Sequence, residues 1–254
     1  MRNIKMQVSY DGTAYCGYQI QPDQVTIQGK LEEAVSILTG EEVHITSSGR
    51  TDAGVHARAQ VINFLTRSAI PIERWCLAIN SRLPDDITVH TAEEMPLNFH
   101  ARHDAKQKTY RYSIHRSRWP DVFHRKTRLH HPSLLDIDAM RRSLRYLEGE
   151  HDFTSFCSTR TSVESHVRTI FSTSVEYRPE PMLGDGEAGV IHIYITGNGF
   201  LFNMVRIIVG TVLEVGTGKR SESEIKQILD ARDRKLAGPT AMAHGLTLWE
   251  VRYE

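Results

Sequence analysis

Two successive runs in the order strand, helix, strand, strand, helix, strand predict an α+β fold. It is built of two ferredoxin-like βαββαβ halves with mainly antiparallel sheets. The length agrees, since 254 residues are long for one domain and comfortable for two. No clear identity links the halves, so the repeat is one of architecture. The expected boundary lies between Leu97 and Ala105, giving domains at 1–100 and 101–254.

In the first half, Ile4, Met6, Val8 and Tyr10 alternate with Lys5, Gln7 and Ser9, as in a half-buried strand ended by Asp11-Gly12. Thr26 caps a helix whose apolar positions Ile27, Leu31, Ala34, Val35 and Leu38 share a face, and Gly40 stops it. Val43 to Ser47 is a short strand, and Gln60 to Thr66 another. Pro71 opens a second helix through Trp75 and Ile79, ended before Pro84. Ile87 and Val89 mark the closing strand.

In the second half, Tyr110, Tyr112 and Ile114 alternate with Arg111, Ser113 and His115 in a strand. Pro120 to Pro132 reads as a long loop that includes His130-His131, and Ile137 to Leu147 as a helix with Gly149 after it. Strands follow on Phe171, Thr173, Val175 and Tyr177, then on Ile191, Ile193 and Ile195. Glu180 to Gly189 between them reads as a hairpin excursion. Phe200 to Val215 is a helix. Ser221 with Glu224 forms a capping box for a short helix through Leu229, and Leu246 to Tyr253 is the last strand.

Composition narrows the classes. The most apolar stretch, Phe200 to Val215, is interrupted by Asn203, Arg206 and Glu214, too short and polar to span a bilayer. No apolar leader follows Met1. Three scattered cysteines without CxxC suggest neither a zinc site nor a disulfide framework, and fit a reducing cytoplasm. Lys plus Arg number 31 and so do Asp plus Glu, so any basic surface must be local. One such stretch runs from Phe99 to His131. It holds Arg102, Lys106, Lys108, Arg111, Arg116, Arg118, Arg125, Lys126 and Arg128 against Asp104 and Asp121. Tyr110, Tyr112, Trp119 and Phe123 interleave it. A solvated face accounts for such a run, and so does a nucleic-acid surface with charge for phosphate and rings for bases.

Chemistry concentrates in Ser48-Gly49-Arg50-Thr51-Asp52-Ala53-Gly54-Val55-His56-Ala57. Taken locally, this is first a surface turn in which Asp52 bonds its own backbone. Its glycines would also let a carboxylate be aimed as a nucleophile or base, with Arg50 two residues away. Arg206 sits among apolar side chains and so needs a partner, which is either a structural or a catalytic carboxylate. Tyr110 is a core residue or, at a cleft edge, a ring for stacking on a base. His100 and His103 have an i, i+3 spacing without companion ligands. Gly238 to Leu246 is a tight turn that could wall a pocket.

Nearly the whole chain resembles the tRNA pseudouridine synthase A family. The resemblance rests on the Gly49 to Ala57 string with Tyr10-Asp11-Gly12-Thr13, Gln21-Pro22, Thr26-Ile27-Gln28-Gly29, Phe99-His100-Ala101-Arg102, Lys108-Thr109-Tyr110-Arg111-Tyr112, His151-Asp152-Phe153, Met204-Val205-Arg206 and Gly238-Pro239-Thr240-Ala241. It implies conversion of uridine to pseudouridine in the tRNA anticodon stem-loop, at positions 38, 39 and 40. It also implies a homodimer, no cofactor, no metal and two domains flanking a central cleft. By the same resemblance Asp52 is the catalytic aspartate, Arg50 helps displace the base, Tyr110 stacks on it, and Arg206 is the basic partner of Asp52. Tyr15 and Tyr18 stand where the family usually has Phe and Trp, Asn203 where His is frequent, Ala59 for Gly and Met242 for Pro. Two other classes are a non-catalytic tandem RNA-binding module and a metal hydrolase using the histidines.

Overall fold

Strict alternation at the N-terminus builds the first strand, and the same logic repeats through the computed structural model, which describes residues 1–159, 163–180 and 188–254. In chain order the elements are β1 (Arg2–Tyr10), α1 (Ile27–Thr39), β2 (Thr46–Ser47), β3 (His56–Thr66), α2 (Trp75–Asn80), β4 (Ile87–Met95), β5 (Gln107–Arg116) and β6 (Leu129–His131). They continue with α3 (Ile137–Arg145), β7 (Gly149–Asp152), β8 (Val167–Pro179), β9 (Gly189–Gly197), α4 (Met204–Gly216), α5 (Glu224–Ala231) and β10 (Leu246–Arg252). The result is a mixed α+β protein. Its chain divides into two units, Met1–Lys106 with Thr247–Glu254, and Gln107–Leu246.

In the first unit the strands lie in the order β4-β1-β3-β10. β1 runs antiparallel to both β3 and β4, and β10 joins β3 in parallel through Thr247↔His56 and Leu248↔Ala57. The inward residues Ile4, Met6 and Val8 are fully buried. Leu31 and Val35 of α1 and Trp75 and Ile79 of α2 are buried as well, and burying such an apolar side chain contributes roughly 1.5–3 kcal/mol. Thr26 caps α1 by accepting from the Gly29 amide, and Gly40 ends it at φ 70°. The expected strand over Val43 to Ser47 shrinks to the two residues of β2. They pair with β3 at Asn63 and Ile62, while Ile45 spends its amide on the Glu32 carboxylate instead.

In the second unit the order is β5-β9-β8-β7, all antiparallel. Tyr112, Ser113, Ile114 and His115 are all buried, so β5 is covered on both faces. Along its edge β6 pairs in parallel with Ile114 to Arg116. The expected unbroken loop over Pro120 to Pro132 is therefore corrected: His130 and His131 lie in a strand. β7 was not foreseen either; its Gly149-Glu150-His151-Asp152 carries no apolar alternation and is held by pairing to β8. α4 begins at Met204 rather than Phe200, because Asn203 sits at φ 60° and breaks the helical path there. Only half of the expected box at Ser221 forms: the Ser221 amide and hydroxyl both donate to the Glu224 carboxylate, at 2.6 and 3.1 Å, while the Glu224 amide turns to the Ser221 carbonyl and the helix starts after Ser223 without a side-chain cap. Of the excursion from Glu180 to Gly189, residues 181–187 lie outside the described residues. At its base Glu180 donates to Ala188 at 2.8 Å.

Candidate active site

Asp52 sits on the loop joining β2 to β3, and that loop is held from below by a buried polar cluster. The Ser48 hydroxyl donates to Gln60 Oε1 at 2.7 Å, and Gln60 Nε2 donates to the Gly49 carbonyl at 2.8 Å and, weakly, to the Tyr10 oxygen at 3.4 Å. The Tyr10 hydroxyl also shares a hydrogen bond with Thr51 Oγ1 at 2.8 Å. Burial pushes the Tyr10 hydroxyl up to about 12, against the lowering pull of its bonds to Thr51 and Gln60, so it stays neutral.

From the other side the segment following β1 clamps the loop. The Tyr18 amide donates to the Thr51 carbonyl at 3.0 Å, and Gly54 donates to Tyr15 at 3.4 Å. Gly12 and Gly17 make the close approach possible. A Cβ on Gly12 would lie 2.1 Å from the Val55 carbonyl oxygen, and one on Gly17, at φ 93°, 3.0 Å from that of Thr51. The Gly12 amide also donates to His56 Nδ1 at 3.0 Å. Within the loop the Val55 amide donates to the Asp52 carbonyl at 3.1 Å, and Gly54 turns the chain at φ 75°. Asp52 is thus half-buried on a backbone fixed at both flanks. Arg50, on the same loop, is exposed.

Tyr15 and Tyr18 are both buried in this clamp. The Tyr15 hydroxyl donates to Asp86 at 2.5 Å, and burial with the Asp86 charge raises its pKa. Neither the glycine clamp nor the Gln60 cluster was foreseen from sequence. Gly12 stood in plain view in Tyr-Asp-Gly-Thr, but its partner Val55 lies over forty residues away.

The second unit carries Arg206 and Tyr110. Arg206 is half-buried on the first turn of α4. Its Nε donates to the Ala241 carbonyl at 2.8 Å, its Nη1 donates to Asn203 Oδ1 at 2.9 Å, and its own carbonyl accepts from the Ala241 amide at 3.0 Å. The turn over Gly238 to Ala241 presses against the helix because Gly210 has no side chain. A Cβ there would stand 1.8 Å from the Pro239 oxygen. The Gly238 amide donates to Thr211 Oγ1 at 2.9 Å, closing the contact. Tyr110 is 8% exposed, with its ring edge-on to Phe200 at 5.1 Å. The buried Tyr112 beside it donates to the Met242 carbonyl at 2.8 Å. Burial raises its pKa, and the Arg206 charge acts in the opposite sense.

The His100 and His103 ring centroids lie 4.1 Å apart with the planes tilted by 46°. His100 Nδ1 accepts from the Arg102 and His103 amides, so that nitrogen serves the loop. Among the described residues no three His, Cys, Asp or Glu side chains converge as metal ligands would.

Residues 6–104 and 144–254 match the family described as tRNA pseudouridine synthase. The chain belongs to that family. Relatives named tRNA pseudouridine synthase A agree along its length. The protein of Brevibacillus brevis is 51% identical over 255 residues, covering 100% of both chains. That of Anoxybacillus flavithermus is 50% identical over 258 residues, again covering 100% of both. That of Geobacillus kaustophilus is 50% identical over 254 residues, covering 100% of this chain and 95% of its own. A solved Cbf5-Nop10-Gar1 complex resembles the chain at 12% identity and a TM-score of 0.32, over 82% of this chain and 54% of that one, too slight to carry an argument. As a tRNA pseudouridine synthase, the protein is an isomerase of tRNA uridine.

Proposed function

We propose that this tRNA pseudouridine synthase acts on the anticodon stem-loop, at positions 38, 39 and 40, with Asp52 as its catalytic carboxylate. The observation that carries the reading is the loop itself. The Thr51 and Asp52 carbonyls and the Gly54 amide are all bonded and Gly12 and Gly17 wedge the flanks, while Asp52 stays half-buried. A surface Asx-turn needs no such clamp. Preorganisation of this kind is what positioning a reacting group requires.

Isomerisation breaks the bond from ribose C1′ to N1 of the base and forms one from C1′ to C5. The C5 hydrogen leaves as a proton and N1 gains one, so atoms and electrons balance without a cofactor. Asp52 either attacks the sugar as a nucleophile or removes a proton from it as a base. The base must first leave its stack, a step we assign to Arg50, with Tyr110 stacking on the extruded ring. Arg206 is assigned to keeping the Asp52 carboxylate ionised. Residues 1–100, with Asp52, and 101–254, with Tyr110 and Arg206, are the proposed functional domains. Each is read as a ferredoxin-like half beside a central cleft. The same reading makes the protein a cytoplasmic homodimer whose two subunits share the tRNA. No helix among the described residues is long and apolar enough to cross a membrane.

The test uses tRNA with tritium at uridine C5. The protein should release label, and Asp52→Asn should release none above a mock-purified control while still binding tRNA. Binding by the wild type without release would make the chain an RNA-binding module. Release by Asp52→Asn would return the loop to a turn.

A further inference from the structure

The residue that opens α4 departs from the usual role of its type at a helix start. We propose that Asn203 is a positioning residue for the reaction: its amide oxygen, together with the Ala241 carbonyl, fixes the guanidinium plane of Arg206.

Asparagine at a helix N-cap ordinarily has an extended backbone and accepts from an amide of the first turn. Asn203 does neither. Its backbone is left-handed, at φ 60° and ψ 6°, and its side chain makes no capping bond. The main chain closes the first turn instead. The Met204 amide donates to the Leu201 carbonyl at 3.1 Å, and the Ile207 amide to the Asn203 carbonyl at 2.9 Å. The side chain turns to Arg206, whose Nη1 donates to Oδ1 at 2.9 Å. A guanidinium only donates, so the atom that faces it is the amide oxygen. Few residues with a side chain take a left-handed angle readily, and asparagine is one of them. The angle and the acceptor therefore meet in one residue type.

The two acceptors hold different nitrogens. Nε donates to the Ala241 carbonyl at 2.8 Å, and Ala241 belongs to the turn that Gly210 lets press against α4. One such bond would leave the fork able to swing about it. Two, at Nε and Nη1, define its plane. Of the five guanidinium donors these bonds use two, and the other three, on Nη1 and Nη2, are thereby aimed as a set. A carboxylate takes two parallel bonds from such a set only when the plane is right. The inference rests on the assignment of Arg206 to the Asp52 carboxylate made above.

Asn203→Gly is the first test, because glycine keeps the left-handed angle and loses only the acceptor. Its urea-unfolding midpoint and its tRNA affinity by filter binding should stay near those of the wild type. Turnover at saturating tRNA, read by label release, should fall about 10- to 100-fold. Asn203→His supplies the rescue. Histidine also takes left-handed angles, and its Nδ1 stands as many bonds from Cα as the asparagine Oδ1. The introduced ring accepts from Arg206 when neutral, and faces it as a second cation when protonated. The guanidinium beside it favours the neutral form, so the ring titrates below about pH 6.5. The turnover ratio of Asn203→His to wild type should therefore be near one at about pH 8 and approach that of Asn203→Gly by about pH 5. A flat ratio, or wild-type turnover in Asn203→Gly, would overturn the inference. Arg206→Met separates this from the reading beneath it. Wild-type turnover in Arg206→Met sinks the assignment of Arg206 and the inference with it. An inactive Arg206→Met beside a fully active Asn203→Gly sinks the inference alone.

Discussion

Replacing Gly12 with alanine separates the clamp on the Asp52 loop from the fold around it. Gly12 has no left-handed backbone angle, so alanine costs nothing in conformation and everything in space. Its Cβ would stand 2.1 Å from the Val55 oxygen, and ordinary contact begins at 3.4 Å, so the two backbones must part by about 1.3 Å. Overpacking of this kind costs roughly 1–3 kcal/mol. The strained bond from the Gly12 amide to His56 adds about 1 kcal/mol. A stability loss of about 2–4 kcal/mol follows. Val55 also holds the Asp52 carbonyl, so the displacement reaches the carboxylate, and a misplacement of about 1 Å can cost about 100-fold in rate. Urea unfolding reads the first quantity. Label release at a temperature where the variant is fully folded reads the second. The control is Gly40→Ala, where no atom lies within 4 Å but φ is 70°. It should lose about 1–2 kcal/mol and keep its turnover. Wild-type stability and wild-type turnover in Gly12→Ala would refute the account of how Asp52 is positioned.

Tyr110→Ala should lower turnover more than tRNA affinity, since stacking is worth roughly 1–3 kcal/mol and phosphates supply most binding; filter binding beside label release checks this, and unchanged turnover would make Tyr110 a packing residue. Arg206→Met should inactivate, and its loss should be strongly non-additive with Asp52→Asn in a double-mutant cycle; additive losses would separate the two groups. His192, 8% exposed and bonded to Ser113 at 3.0 Å, has its pKa lowered to about 4 by burial and then by Arg111, Arg178 and Arg128. Its folded value lies below its unfolded one, so its contribution is complete above about pH 6.5 and disappears as pH falls to about 4. That is about 3 kcal/mol, and His192→Gln should flatten the acid limb of stability measured by urea unfolding in this window.

How much of this was legible depends on how local each cause is. α1 was readable end to end because Thr26 and Gly40 sit in the chain beside what they cap. The first turn of α4 was not, since the apolar pattern runs unbroken from Phe200 while the stop is a backbone angle at Asn203. β6 and β7 were missed for the opposite reason. Their sequences carry no strand pattern, and only partners elsewhere make them strands. Asp52, Tyr110 and Arg206, the residues proposed for the chemistry, stand out in the sequence through the family strings that contain them. The atoms that hold them do not. Gly12 meets Val55 and Gly210 meets Pro239 across gaps in sequence that periodicity does not register.

The packing of Thr247–Glu254 with the first unit sets a timetable. A ribosome makes these residues after everything in the second unit. Until they emerge, the margin of β3 beside His56 and Ala57, where the Asp52 loop ends, lacks its parallel neighbour. Tyr253 is then absent from the Ala101 carbonyl, 2.7 Å away in the finished protein, and Trp249 from the guanidinium of Arg58. The nascent first unit therefore waits with an open strand edge, the kind of surface that recruits other chains. A message cut short before Thr247 would yield a protein with an intact Asp52 and an unpaired strand edge where its loop enters β3.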